Sequence, residues 1–345
     1  MRKVIRRPRF DWTRDSPRPL LRPWLVLAAA IASVLAILWG VLFPITEWAA
    51  DDSLTGLSGK DRADVIDATR RTLLQAAGGA AALTALVFTA RSYLLNRRGQ
   101  QTQRFKDAVE QLGSEQIAVR IGGIYSLEHV MRESSEDHRT VVEVLSAFVR
   151  ESSVSDPPMK ETAPVRPATD VQAALTVLAR RPKREETAPL DLHATDLRGA
   201  ELTSADFRHA NLKSVLLDGA NLSGARLQAA RLRKASLEAA RLRHARLEGA
   251  DLANAQMKGA DLLNARLTYA RLWDACLKDA DLGSAHLEGA YLKNACLEGA
   301  NLYAANLRLA TLTGAGLELA DLRRADLEAV EGLTEEQVAP TVTDD

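Results

Sequence analysis

Residues 250–272 read ADLANAQMKGADLLNARLTYARL, and one rhythm runs through them: a large apolar residue at 252, 257, 262, 267 and 272, with alanine two places before each. Followed outward, the rhythm extends from Leu192 to Leu327 without a failure. Leu occupies 26 of its 28 positions, and Phe207 and Met257 take the other two. Alanine fills 25 of the 28 slots two residues earlier; only Leu190, Thr195 and Val215 depart. A period of five fits neither the helix at 3.6 nor the strand at 2. The chain must turn on itself at a fixed step and bury one large and one small residue each time, which is the pattern of a solenoid.

The units that carry the rhythm, such as Ala250-Asp251-Leu252 and Ala300-Asn301-Leu302, resemble the pentapeptide-repeat family. The resemblance implies a right-handed quadrilateral β-helix with four units per coil, so the 28 units over 190–330 imply about seven coils. It also implies that the central Leu and the preceding Ala point inward and the other three positions outward. Coils stacked at the inter-strand spacing of about 4.8 Å would make a rod roughly 34 Å long. Each inward Leu contributes on the order of 1.5–3 kcal/mol by leaving water, and Ala fills the space between.

The fold class expected for the whole chain is mixed: N-terminal transmembrane helices, a small α-helical unit, then the C-terminal β-helix. Residues 1–23 carry eight Lys or Arg against two Asp, and 24–43 follow as 20 uncharged residues, Trp24 to Phe43. That length spans about 30 Å as a helix, the thickness of a bilayer core. The run is too long, and its basic leader too extended, for a cleaved signal peptide, so 24–43 is read as a signal anchor. Leu73 to Ala90 is a second uncharged run, of 18 residues, read as a second span; a buried or interfacial helix is the alternative. The intervening loop, 44–72, holds four Lys or Arg, against eight in 1–23 and five in 91–110. The positive-inside rule then places a bacterial inner (cytoplasmic) membrane hairpin with both the N-terminus and the solenoid in the cytoplasm.

Residues 91–182 read as a helical unit and linker. Phe105, Val109 and Leu112 mark one helix ended by Gly113; Ile117, Ile121, Ile124 and Leu127 mark a second, with Gly122-Gly123 allowing close contact. Val141, Leu145 and Phe148 mark a third, and a Ser- and Pro-rich loop occupies 152–168. Thr169 with Gln172 fits a capping box for a fourth helix. The stretches 120–128 and 170–178 resemble a segment found before the repeats in bacterial membrane-anchored pentapeptide-repeat proteins, a resemblance that brings no assigned activity. Arg181-Pro-Lys-Arg-Glu-Glu reads as a solvated linker. After Leu327 the repeat fails, and Thr334 with Gln337 marks a short cap helix within 331–345.

Chemistry is not visible in this chain. It has no phosphate-cradling Gly loop, nucleophile elbow or Cys-x-x-Cys, so it reads as a non-enzyme with no cofactor and no metal. His193, His209, His244 and His286 fall in outward slots at unequal spacing. Two cysteines are too few for a disulfide scaffold. Four units per coil would stack residues 20 apart, which places Cys276 beside Cys296. The same rule builds a ladder of Asp206, Arg226, Arg246, Arg266, His286, Asn306 and Asp326. That ladder is either neutralised by Glu248 and Glu288 or forms a strip for an anion or acidic partner. Tyr269, Trp273 and Tyr291 form a second group, a contact patch or aromatics lying flat on the rod. The candidate interaction surface is therefore Arg226, Arg246, Arg266, Tyr269, Trp273 and Tyr291.

The function expected is a membrane-anchored scaffold that presents the rod to an unidentified protein partner, with homo-oligomerisation left open and no nucleic acid expected. The family resemblance also offers a DNA mimic acting on a type II topoisomerase. A duplex mimic needs strong negative charge, but residues 190–330 hold 18 acidic and 18 basic residues.

Overall fold

The computed structural model describes residues 59–153, 166–184 and 189–334, with a few isolated positions before residue 59. The expected basic N-terminus 1–23, most of the first span 24–43 and the cap helix after Thr334 lie outside the described residues. The chain divides into two compact units, Met1–Arg97 and Arg98–Asp345. Among the described residues from 59 onward, four helices precede the repeats: α1 (Gly59–Leu112), α2 (Ile117–Glu133), α3 (His138–Ser152) and α4 (Thr169–Ala179).

α1 is one helix of 54 residues. It takes in the end of the expected loop 44–72, the whole of 73–90, and the helix expected around Phe105. No proline lies between 59 and 112, so the charged flanks simply extend the apolar run in the same conformation. α1 is long and apolar enough to cross a membrane. Within it Leu83, Leu86 and Val87 are each 66% exposed.

The last turns of α1 pack with α2, α3 and α4 around Ala108, Ile124, Leu127, Met131, Val141, Leu145, Leu175 and Leu178. Gly123 sits where α2 meets α1. A Cβ there would lie 2.8 Å from the Ala108 carbonyl oxygen, so only glycine allows this approach. Ile117 is half exposed at the start of α2, and Ala108 takes the buried place expected for Val109. Two buried carboxylates tie the helices together. Asp170 accepts from Arg120 Nε at 2.6 Å, and Glu128 accepts a two-pronged pair from Arg180 at 2.9 and 2.7 Å. The expected Thr169–Gln172 capping box does not form. Ala168 is the N-cap residue, so Thr169 already lies inside the helix and Gln172 is free to reach elsewhere.

From Asp191 to Glu331 the chain is a parallel solenoid in which bridged residues pair at intervals of 20, giving seven steps on the face that begins at Asp191 and six on each of the other three. Each face contributes a single bridging residue rather than an extended strand, because a turn follows every inward Leu. The inward register holds throughout: Leu192 to Leu322 at every fifth place, and their Ala partners, are nearly all below 5% exposed. The residue two after each central Leu has positive φ at all 28 corners, 20 of them non-glycine. That conformation costs an L-residue roughly 1–2 kcal/mol. From Ala194 to Leu309 each corner places its N–H on a carbonyl of the next coil, as Tyr269 does on Glu288 at 2.9 Å, which offsets part of the cost.

The helical unit covers the starting edge of the solenoid. In the regular stack the bridging residue's N–H points back to the previous coil and its carbonyl accepts from that coil, so the first coil leaves eight such groups open at 191, 196, 201 and 206. Five of the eight are met by the helical unit and the segment after it. Arg150 donates to the Asp191 carbonyl at 2.6 Å. The Gln172 amide donates to the Glu201 carbonyl at 2.8 Å and accepts its N–H at 3.1 Å, imitating a missing coil. The Ala179 carbonyl accepts from Asp206 N–H at 3.1 Å, and Arg181 donates to the Asp206 carbonyl at 2.6 Å. Arg181 and Arg184 are therefore anchored, the latter on the carbonyls of Met131, Arg132 and Ser134. The expected solvated linker is held down over this stretch.

Candidate functional site

The 20-residue stacking assembles the candidate residues on two adjoining faces. Asp206, Arg226, Arg246, Arg266, His286, Asn306 and Asp326 form one continuous bridged column. Its Asp206 end is neutralised. Asp206 takes a two-pronged pair from Arg208 at 2.8 Å in each bond, with Arg226 at 3.8 Å. Burial pushes the Asp206 carboxyl up, and the bonds and charge of Arg208 overcome this, leaving it below the usual carboxylate value. Arg246 lies 3.3 Å from Glu248. Glu288, expected to neutralise the middle of the ladder, is instead taken by His286 at 3.3 Å, Asn306 at 2.8 Å and Thr268 at 3.2 Å. Arg266 keeps no carboxylate among the described residues, so one cation stands open at the centre of the column. Of the two readings of the ladder, neutralisation holds at Arg226 and Arg246 but not at Arg266.

Three residues on, Tyr269 occupies the corner between this column and the next face and is 61% exposed. Its ring lies across Gly289, one coil later, where a Cβ would sit 2.5 Å from the ring. The neighbouring face carries Arg271, bridged to Tyr291. The Arg271 guanidinium lies 6.0 Å from the centre of the Trp273 ring, within the range of a cation–π contact. Tyr291 is 46% exposed and Trp273 half-buried. Arg266, Tyr269, Arg271, Trp273 and Tyr291 thus form one ridge across two coils, while Arg226 and Arg246 lie below it on the column. One member of the ridge, Arg271, and one exposed neighbour beyond it, Leu309, escaped the sequence reading. Arg271 could have been found from its 20-residue offset to Tyr291. Leu309 is 59% exposed at the corner after Gly289, and its signal was a leucine two places out of the inward phase.

Elsewhere on the rod, Cys276 and Cys296 are bridged neighbours and both are free thiols. The four repeat histidines are exposed, and among the described residues no group of three or more metal-ligating side chains converges.

A chain that winds four five-residue units per coil around Leu and Ala is a right-handed β-helical solenoid of the repeat-protein class. The family model for pentapeptide repeats, in eight copies, matches residues 191–328 in overlapping segments, and the chain belongs to the pentapeptide-repeat family. Solved structures resemble its repeat region. HetL, a pentapeptide repeat protein involved in heterocyst differentiation regulation in the cyanobacterium Nostoc sp. strain PCC 7120, is 36% identical over 41% of this chain and 71% of its own, with a TM-score of 0.23. A second pentapeptide repeat protein from Nostoc PCC 7120, alr5209, is 35% identical over 27% of this chain and 70% of its own, with a TM-score of 0.18. Full-length QnrB1, a plasmid-mediated fluoroquinolone resistance protein, is 22% identical over 44% and 83%, with a TM-score of 0.19. The comparison with curated proteins returned no match.

Proposed function

We propose that this protein is a non-enzymatic scaffold that presents its repeat rod to a protein partner while anchored in a membrane. The observation that carries the reading is the ridge of Arg266, Tyr269, Arg271, Trp273 and Tyr291. Tyr, Trp and Arg are the residues that dominate binding energy at protein interfaces, and here they lie contiguous on an otherwise charged, small-residue surface. The open guanidinium of Arg266 favours a partner with a carboxylate at the matching place.

The anchor rests on α1. Its stretch from Leu73 to Ala90 is uncharged. Its two threonines turn their hydroxyls back on the helix, Thr84 to Ala80 and Thr89 to Ala85 at 2.8 Å, which satisfies them without water. Together with 24–43 it would form a hairpin in a bacterial inner membrane, leaving the rod in the cytoplasm. The balance of 18 acidic and 18 basic residues over 190–330 speaks against the duplex mimic, which needs negative charge along its length.

The experiment is site-specific photocrosslinking in intact cells. A photoreactive residue at Trp273 in the full chain is expected to trap a defined adduct, and one at Lys258 on another face is not. No adduct at Trp273, or equal adducts at both places, would remove the reading.

A further inference from the structure

We propose that Cys276 and Cys296 together form a binding site for a soft, two-coordinate metal ion of the copper(I) class. A parallel bridge pairs the two residues, so they hold the same outward slot in consecutive coils. Both are free thiols; Cys276 is half-buried and Cys296 exposed. Their column continues with Gln256 on one side and Gly316 on the other, neither of which offers a soft ligand. Four units make one coil, so this face lies opposite the arginine column. It shares no residue with the aromatic ridge.

The spacing of the coils selects the geometry. Bridged residues on neighbouring strands lie about 4.8 Å apart. A linear sulfur–metal–sulfur unit spans roughly 4.6 Å, twice a metal–thiolate bond of about 2.3 Å. Parallel cysteine side chains one coil apart therefore reach such an ion without turning from their directions. A disulfide needs the sulfurs drawn to about 2.05 Å, and both side chains must lean together to form it. Structural zinc takes four ligands, and among the described residues no third metal-ligating side chain converges on the pair. Thiolates favour soft ions, and copper(I) is the soft ion of the cell that is satisfied by two donors.

The surroundings suit the charge. Burial, then Glu298 and Cys276, hold the Cys296 thiol above its ordinary value. A bound ion displaces that proton: each thiol releases one to solvent, and copper(I) with two thiolates keeps one net negative charge. Lys278, two residues after Cys276, is exposed and makes no ion pair among the described residues, so its ammonium can meet that charge. The Glu298 carboxylate turns toward the next coil, with Oε1 2.6 Å from where a Cβ on Gly316 would stand. It therefore leaves the approach to the two sulfurs open.

The test uses the full chain in detergent, reduced and free of oxygen, with copper(I) as probe in competition with a chromophoric copper(I) chelator. Wild type is expected to bind one ion per chain, with the X-ray absorption edge of a two-coordinate sulfur site. Cys276→Ser and Cys296→Ser are each expected to weaken binding about a hundredfold or more, since the second, tethered donor is lost. Register is the deciding control. Gln256→Cys with Cys296→Ser rebuilds a stacked pair one coil earlier and is expected to bind as wild type. Gln256→Cys with Cys276→Ser keeps two thiols but sets them two coils apart, and is expected to bind no better than a single variant. All three positions face outward, and matching melting curves separate a loss of binding from a loss of fold. Equal binding by both rearranged pairs would mean adventitious thiol capture and overturns the proposal. So does wild type binding no tighter than the single variants, or an absorption edge of higher coordination.

Discussion

Within each five-residue unit, neighbours have opposite fates. Met257 is fully buried and Gln256 beside it is exposed. Met257→Lys is expected to unfold or aggregate the protein, because it buries a charge without a partner. Gln256→Lys is expected to shift the melting temperature little, within the roughly 0.5 kcal/mol of an ordinary surface change. Equal shifts in thermal denaturation would break the register. Asp206 gives a pH dependence. Its folded value lies below the ordinary 3.8, so its stabilisation is fully present above that pH and is lost as pH falls through it and below. Asp206→Asn is expected to lower stability at pH 7 and to flatten the acid side of the stability curve between about pH 5 and 2. An unchanged acid limb would show that the Arg208 pair carries no folding energy. The inward register was legible because an apolar period needs no knowledge of the path between turns. The left-handed corners were not, since Gly, Asn, Ala, His, Tyr and Leu all occupy them. From Ala194 to Leu309 the corner N–H bonds the next coil, 19 residues further on, and the last four corners keep the conformation without that bond.

At the scale of elements, the stacked cysteines test the 20-residue step. Burial, followed by Glu298 and Cys276, raises the Cys296 thiol above its ordinary value of 9.0, so little thiolate exists at neutral pH. A mild oxidant applied to the purified chain is expected to join Cys276 to Cys296 within one molecule, slowly at pH 7 and faster as pH rises. Mass spectrometry after proteolysis would reveal the link. Bonds only between molecules would contradict the stacking. The helices were legible in approximate place from their apolar spacing but not in number, since the expected span at 73–90 and the expected helix around Phe105 are one. Their ends were less legible. Thr169 and Gln172 have the right interval for a capping box, but Gln172 answers to Glu201, 29 residues away, and local spacing carries no trace of that. α1 is longer than expected for the converse reason: charged residues continue a helix as readily as apolar ones, so the end of an apolar run is not the end of the helix.

For the whole molecule, the covered edge means that the rod and the helical unit belong to one folding body, Arg98–Asp345. Removing residues 98–184 exposes five paired backbone groups and the apolar face of the first coil. A fragment of 98–345 is expected to melt cooperatively, whereas 185–345 is expected to melt at least several degrees lower or to self-associate through the opened edge. Matching melting curves and monomeric behaviour for both would show that the rod needs no cover. The repeats declared themselves in the sequence, but the role of the helical unit emerged only where Arg150, Gln172 and Arg181 met backbone groups far along the chain.

Gln172 and its companions also give the rod a direction in time. The covered end is the end synthesised first, so a ribosome adding about 5–20 residues per second delivers one coil every 1–4 s onto an edge that is already complete. Each new coil finds a ready template and becomes the template for its successor, so the polypeptide can wind itself up in the order in which it is read.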